Sequence, residues 1–264
     1  MNTPTLIYLE SLARQAGAIL RAGFGQDNKV YFKGEIDLVT DVDRKSEAFL
    51  IEEIHQHFPD HRIVAEESGK SASQSRCTWY IDPLDGTVNF AHGLPGFAVA
   101  IGFAEGGIMR LGVVYDPVRE ECFSAERERG AWLNGQPIRV SEASCLDQSL
   151  LVTGFAYDIR TNPKNNLDYF DYFMLHSQGV RRLGAAALDL CYVACGRLDG
   201  YWEISVSPWD LAGAGLVAEM AGASVSAISG NPDYIREPCS ILAATPLIYP
   251  KMLSVFRKNG NGAS

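Results

Sequence analysis

Residues 79–90 read Trp79-Tyr80-Ile81-Asp82-Pro83-Leu84-Asp85-Gly86-Thr87-Val88-Asn89-Phe90. The apolar run 78–81 predicts a short strand that delivers Asp82 at its end, and Pro83 stiffens the turn that follows. Asp82 and Asp85 then point into the same space. Gly86 and Thr87 open a predicted short helix, whose first N–H groups lack intrahelical partners and suit a phosphate. Two hard carboxylates beside an anion cradle are what a magnesium phosphatase needs. An Asp-Pro-x-Asp-Gly turn explains the short fragment on backbone grounds alone, because Asp and Gly favour turns. The longer stretch, with its apolar entry and helical exit, is far more specific.

Three further acidic clusters lie outward from this one. Upstream, Val64-Ala65-Glu66-Glu67-Ser68-Gly69 again ends a short apolar strand in carboxylates, which repel unless a cation or solvent relieves them. Further upstream, Asp37-Leu38-Val39-Thr40-Asp41-Val42-Asp43 combines a helix start, in which Thr40 and Asp43 have capping-box spacing, with a candidate role for Asp43 as partner of the Thr87 hydroxyl. Downstream, Ser207-Pro208-Trp209-Asp210 has the marks of a helix start, with Asp210 placed to complete a capping box. The small residues 212–215 predict close packing of that helix against a neighbour, which brings Asp210 toward the carboxylates of the first half. Four acidic clusters without histidine suggest an all-oxygen site for hard cations. The sequence has no GxSxG elbow, no GxxxxGK[ST] loop and no GxGxxG opening a βαβ unit.

Around these motifs, helical periodicity covers residues 4–24, and a second helix begins at Thr40 and runs toward Pro59. Strands are predicted at 63–65, 78–81, 97–103 and 108–115, with a hairpin signalled by Asn134-Gly135. In the second half, strands at 149–154, 179–183, 199–203, 223–228 and 240–244 alternate with helices at 185–195, 208–221 and 246–257. The stretch 155–170 reads as a loop. This pattern predicts an α+β fold of stacked sheet and helix layers. It also predicts one domain over 1–264, with an α+β half at about 1–145 and an α/β half at about 146–264.

The chain has 264 residues, 47% of them hydrophobic and 21% charged, enough to fill a core without disulfides. Its six cysteines form no CxxC pair and read as reduced, small core residues. The net charge of -9 argues against direct nucleic-acid binding or attraction to an anionic membrane, and leaves local cations to receive any anionic substrate. The first residues carry Glu10 and no basic start, unlike a secretory signal, and no apolar run is long enough to span a bilayer. A cytoplasmic location is the expectation.

The stretches DPLDGTVNF at 82–90, AEESG at 65–69, DLVTDVD at 37–43 and PWDLAGAGLVAEMAGA at 208–223, in this order, resemble the inositol monophosphatase family. The likeness continues through FAVAIGF, GVVYDP, the 130–135 hairpin and RRLGAAALDLCYVACGRLDGYWE at 181–203. It implies a layered αβαβα sandwich of the sugar phosphatase type, a homodimer, inhibition by lithium, and two or three Mg2+ ions per subunit. By this likeness Glu66, Asp82, the Leu84 carbonyl, Asp85 and Asp210 are the metal ligands. Glu66, Thr87 and Asp43 orient the attacking water, Gly86 and Thr87 hold the phosphate, and Gly184, Ala186 and Glu203 meet the hydroxyl-bearing part of the substrate. Lys33 is a further electrostatic neighbour of the phosphate. The implied substrate is a small phosphorylated metabolite, inositol 1-phosphate first. Alternatives are fructose 1,6-bisphosphate, histidinol phosphate and phosphoadenosine phosphate, a phosphate-binding protein without turnover, or a regulatory binding protein on transcription machinery.

Overall fold

The computed structural model describes residues 3–34, 38–163 and 165–260, so Asp37 of the first acidic cluster lies outside the described residues. The chain opens with helix α1 (Leu6–Gly23), a small hairpin β1 (Val30–Phe32) and β2 (Leu38–Thr40), and helix α2 (Asp41–His57). Next come β3 (Arg62–Ala65), β4 (Gly69–Lys70), β5 (Cys77–Asp85), the short helix α3 (Thr87–Ala91), and β6 (Ala98–Glu105) to β7 (Ile108–Asp116). Strands β8 (Glu121–Glu126), β9 (Gly130–Leu133) and β10 (Gln136–Pro137) complete an eight-stranded sheet of order β10-β9-β8-β7-β6-β5-β3-β4.

The second half contributes β11 (Leu150–Thr153), α4 (Leu167–Leu175), β12 (Gly179–Arg181), α5 (Ala186–Ala194), β13 (Gly200–Val206) and α6 (Pro208–Met220). It ends with β14 (Ser224–Ser226), β15 (Cys239–Ala244) and α7 (Tyr249–Gly260). Its five strands form a second, mixed sheet of order β12-β11-β13-β15-β14, in which β11 runs parallel to β12 and β13 while β15 is antiparallel to β13 and β14.

Three apolar clusters fill the four interfaces between five layers, one of them surrounding the middle helix layer on both sides. Leu9, Leu12 and Leu20 of α1, with Leu50 and Ile54 of α2, pack on the face of the eight-stranded sheet formed by Trp79, Ile81, Val99 and Ile101. The opposite face of that sheet, through Ala98, Ala100, Val114 and Phe123, packs on α5 and α6. Those two helices in turn cover Val152, Tyr201 and Ile241 of the second sheet. Phe173 of α4 and Met252 and Phe256 of α7 close the far side of the second sheet against Trp202 and Leu242. This is the layered α+β sandwich that the sequence predicts. Helices α5 and α6 lie between two sheets and are buried nearly all round, as a helix must be when both faces meet a core. Among the described residues no helix is long and apolar enough to cross a membrane.

The β1–β2 hairpin and β8 have no counterpart among the predicted elements, and two predicted segments differ from what forms. Strand β5 does not stop at Asp82 but continues to Asp85, with a register shift against β6 between Asp82 and Asp85. Pro83 has no N–H to donate, so an interior strand accommodates it only by bulging, and the bulge turns the two aspartates toward the strand's carboxyl end. The predicted loop 155–170 gives way at Leu167 to α4, whose apolar side packs through Phe173. Asn-rich turn signals mask a helix of only nine residues.

A close contact between the halves is made by backbone. Gly213 of α6 lies against Gly102 of β6 and Gly112 of β7. A Cβ on Gly213 would sit 2.4 Å from the Ile101 carbonyl oxygen, and one on Gly112 would sit 2.3 Å from the Gly213 carbonyl oxygen. No side chain can turn aside to make room. Gly213→Ala therefore forces α6 away from the sheet, and chemical denaturation is expected to show a loss of about 1–3 kcal/mol, the usual cost of overpacking. An unchanged denaturation midpoint would show that the helix does not depend on this contact.

Candidate active site

Strands β3 and β5 run parallel, so their carboxyl ends lie side by side, and the acidic residues that end them meet at one edge of the sheet. Asp210, in the first turn of α6, reaches the same place from the middle layer. The result is a cavity of ≈ 360 Å³ lined by Glu66, Asp82, Leu84, Asp85, Gly86, Thr87 and Asp210, with Gly184, Ala186 and Glu203 on its second-half wall. Asp43 is fully buried and lies behind Thr87. The structure thus brings together the site residues predicted from sequence.

Most of these acids are fastened to backbone N–H groups. Asp43 Oδ2 accepts from the Thr40 N–H at 2.9 Å in the capping box of α2, while its Oδ1 accepts from Thr87 Oγ1 at 3.1 Å. Asp82 Oδ1 accepts from the Leu84 N–H at 3.0 Å. Asp85 caps α5 from across the molecule, its two oxygens accepting from the Ala186 and Ala187 N–H groups at 3.0 and 2.9 Å. Asp210 Oδ2 accepts from the Ser207 N–H at 2.9 Å, so the capping role read from sequence is real and leaves Oδ1 for other work. At the N-cap of α3, Gly86 adopts φ 90°, and a Cβ there would lie 2.8 Å from the Gly96 carbonyl oxygen, so this turn requires glycine.

Burial raises the proton affinity of the whole cluster. Asp82 is pushed well above the usual carboxylate range by desolvation and then by Glu66, Asp85 and Asp210. Asp210 is raised by burial and by Asp85 and Glu66. Burial pushes Glu66 up to about 7 against the pull of Lys33, and Asp85 up to about 6 against the N–H groups of α5. Asp43 rises to about 6 by burial, opposed by its bonds from Thr40 and Thr87. Carboxylates arranged this way cannot all ionise unless positive charge joins them.

Among the described residues no three His, Cys, Asp or Glu side chains stand already posed to hold a metal ion. Lys33 Nζ donates to Glu66 Oε1 at 3.0 Å and to Glu67 Oε1 at 2.5 Å, and Asp82, Asp85 and Asp210 accept from backbone N–H groups. Lys33 thus pairs with the acids rather than standing free for a phosphate. The donor set still fits a hard divalent ion, since it is all oxygen, mutually repelling and short of cationic partners.

Several contributors are missing from the sequence reading. Glu47 of α2, buried, accepts from the Glu67 N–H at 2.8 Å and so fixes the loop that aims Glu66. Asn89 Nδ2 donates to the Gly96 and Leu183 carbonyls at 2.7 and 2.8 Å, tying α3 to the strand-to-helix turn that carries Gly184. The Tyr201 hydroxyl donates to Glu203 Oε2 at 2.7 Å, and Arg182 and Asp189 join the second-half wall. Asn89, Arg182, Asp189 and Tyr201 lie in stretches that the sequence singles out, but without a role assigned to them, whereas Glu47 lies in none.

A family model for the inositol monophosphatase family matches residues 1–261. The chain belongs to that family. It is 48% identical over 219 residues to the inositol-1-monophosphatase of Synechocystis sp., covering 82% of this chain and 76% of that protein. It is 38% identical over 254 residues to the Nus factor SuhB of Vibrio cholerae, covering 95% of each. The solved inositol monophosphatase of Anabaena (Nostoc) sp. superposes with a TM-score of 0.87 at 43% identity, covering 96% of this chain and 95% of that one. The chain is accordingly a phosphatase of this family.

The Asp85 cap on α5 makes a stability prediction of its own. Asp85→Ala strips two N–H groups of their acceptor and is expected to cost about 1–2 kcal/mol in denaturant unfolding, whereas Asp85→Asn keeps a carbonyl acceptor and costs less. Equal stabilities of the two variants would show that the cap contributes nothing.

Proposed function

We propose that the protein is a magnesium-dependent phosphomonoesterase that releases phosphate from a small polyol or sugar phosphate, with inositol 1-phosphate as the leading substrate. The observation that carries this reading is the convergence of Glu66, Asp82, Asp85 and Asp210 on one cavity beside the first turn of α3. Glu66, Asp82, the Leu84 carbonyl, Asp85 and Asp210 would hold two or three magnesium ions. Bound magnesium supplies Lewis acidity, lowering the pKa of a water and offsetting charge on the leaving oxygen.

The chain's own residues supply the rest. The single proton of the Thr87 hydroxyl is directed to Asp43 Oδ1 or to the Leu84 carbonyl oxygen, the latter at 3.0 Å. Its remaining lone pair then orients an attacking water, with Glu66 on the other side. Asp43, raised to about 6, is an acceptor matched to proton movement near neutral pH. Gly86 and Thr87 offer N–H groups to the phosphate oxygens. Glu203, with Gly184 and Ala186, receives the hydroxyl-bearing part of the substrate. Positioning and fixed charge account for most of the acceleration in this scheme. The reading extends to a homodimer, for which the exposed Met174 and Leu175 of α4 provide apolar surface.

Phosphate release from inositol 1-phosphate, fructose 1,6-bisphosphate, histidinol phosphate, phosphoadenosine phosphate and glycerol phosphate tests the proposal, each with magnesium, without it, and with added lithium. Release led by inositol 1-phosphate, lost without magnesium and depressed by lithium, is the expected result. Asp85→Asn is expected to lower it by on the order of 100-fold or more with the fold intact. Near-normal turnover of that variant would remove Asp85 from the ion site. No release from any ester turns the reading toward the role carried by the name of the Vibrio cholerae relative.

A further inference from the structure

Helix α5 is an apolar segment with one charge in it. Ala187, Leu188, Leu190, Cys191 and Val193 are buried between the two sheets, and so is Asp189, at 1% exposure. Taking a carboxylate out of water is expensive unless hydrogen bonds or ions replace the lost solvation. The other acids of the cavity have such partners: Lys33 for Glu66, backbone N–H groups for Asp82, Asp85 and Asp210, and Tyr201 for Glu203. Asp189 Oδ1 is buried and has no hydrogen-bond partner among the described residues.

An unpartnered buried carboxylate does nothing for the stability of a helix that an apolar residue would pack better. Asp189 nevertheless lines the substrate cavity. Of the charges around it, Asp85, capping the start of the same helix, acts most strongly, followed by Glu203 and Arg182, so Asp189 sits between the Asp85 side of the cavity and the Glu203 wall. An acceptor in that position calls for an O–H donor brought by the ligand.

Resting on the phosphate-ester reading of this cavity, we propose that Asp189 is a specificity-determining residue whose Oδ1 accepts a hydrogen bond from a hydroxyl of the substrate's polyol or sugar part. With Glu203 it gives the cavity two carboxylates for two hydroxyls, so the site selects esters that carry several hydroxyl groups. A substrate without them leaves Asp189 desolvated and unpaired and Glu203 with only its Tyr201 bond, which is the physical basis of rejection.

The test compares kcat/KM for inositol 1-phosphate and phenyl phosphate in the magnesium-supplied full-length protein, its Asp189→Ala variant and its Asp189→Asn variant. The ratio of the two constants is expected to fall about tenfold in Asp189→Ala, mainly through KM for the inositol ester. Asp189→Asn, which keeps a carbonyl acceptor, recovers most of the ratio. The melting temperature of Asp189→Ala is expected to stay level or rise. An unchanged ratio, or an equal loss on both esters with a lower melting temperature, would overturn the proposal and make Asp189 structural. Should the parent protein hydrolyse neither ester, the phosphatase reading of the site fails. Calorimetric binding of the two esters then decides the point: weakening of the inositol ester alone in Asp189→Ala supports the assignment, and equal weakening or none refutes it.

Discussion

The backbone contact of Gly213 with Gly102 and Gly112 sets the geometry of the molecule. Helices usually stand off a sheet by the thickness of their side chains, but glycine on both surfaces lets main chain rest on main chain. Helix α6 therefore lies flush across β6 and β7, and its first turn extends to the carboxyl ends of β3 and β5. That closeness is why Asp210 feels Asp85 and Glu66 although they lie far apart in the chain. Residues 212–215 matter less as helix formers than as the spacer that fixes one half against the other.

The second constraint is electrostatic. A chain of net charge -9 places several carboxylates in a single cavity, where burial and mutual repulsion raise their proton affinities. The fold compensates with the backbone N–H groups at the starts of α2, α5 and α6, each aimed at an aspartate. Partial positive charge at a helix start is well suited to this, since its N–H groups have no partner inside the helix. Capping and chemistry are thus two uses of the same side chains. The compensation is incomplete: Lys33 bridges Glu66 and Glu67, and Asp189 is left without a donor. Stability conceded at such points is the usual mark of a site arranged for a ligand.

Much of this was legible in the sequence because its signals are local. The capping boxes at Thr40 and Ser207, the Asn134-Gly135 hairpin and the acidic strand ends are each set within a few residues, and each forms where the pattern places it. The reading failed where local signals conflict. At 155–170 the turn residues outweighed the short apolar stripe of α4, and at Pro83 a rule about strand ends missed a bulge inside a longer strand. Glu47 was invisible as a site residue because nothing in its own surroundings marks it, and Tyr201 and Arg182, although inside the marked 181–203 stretch, show no role until their partners are placed. Glu47 matters through the Glu67 N–H, and Tyr201 through Glu203.

By itself the sequence determined the chemistry available: hard carboxylates at strand and helix ends, a glycine turn beside a short helix, and apolar patterns for two sheets and their covering helices. Tertiary structure decided which partner each acid oxygen meets, that Asp85 caps a helix 101 residues further along the chain, and that Asp189 Oδ1 is left unpaired in the wall of the cavity. The reason is physical. Propensity, capping and turn chemistry act over a few residues, whereas burial and the direction of a side chain are set by whatever the rest of the chain packs against it.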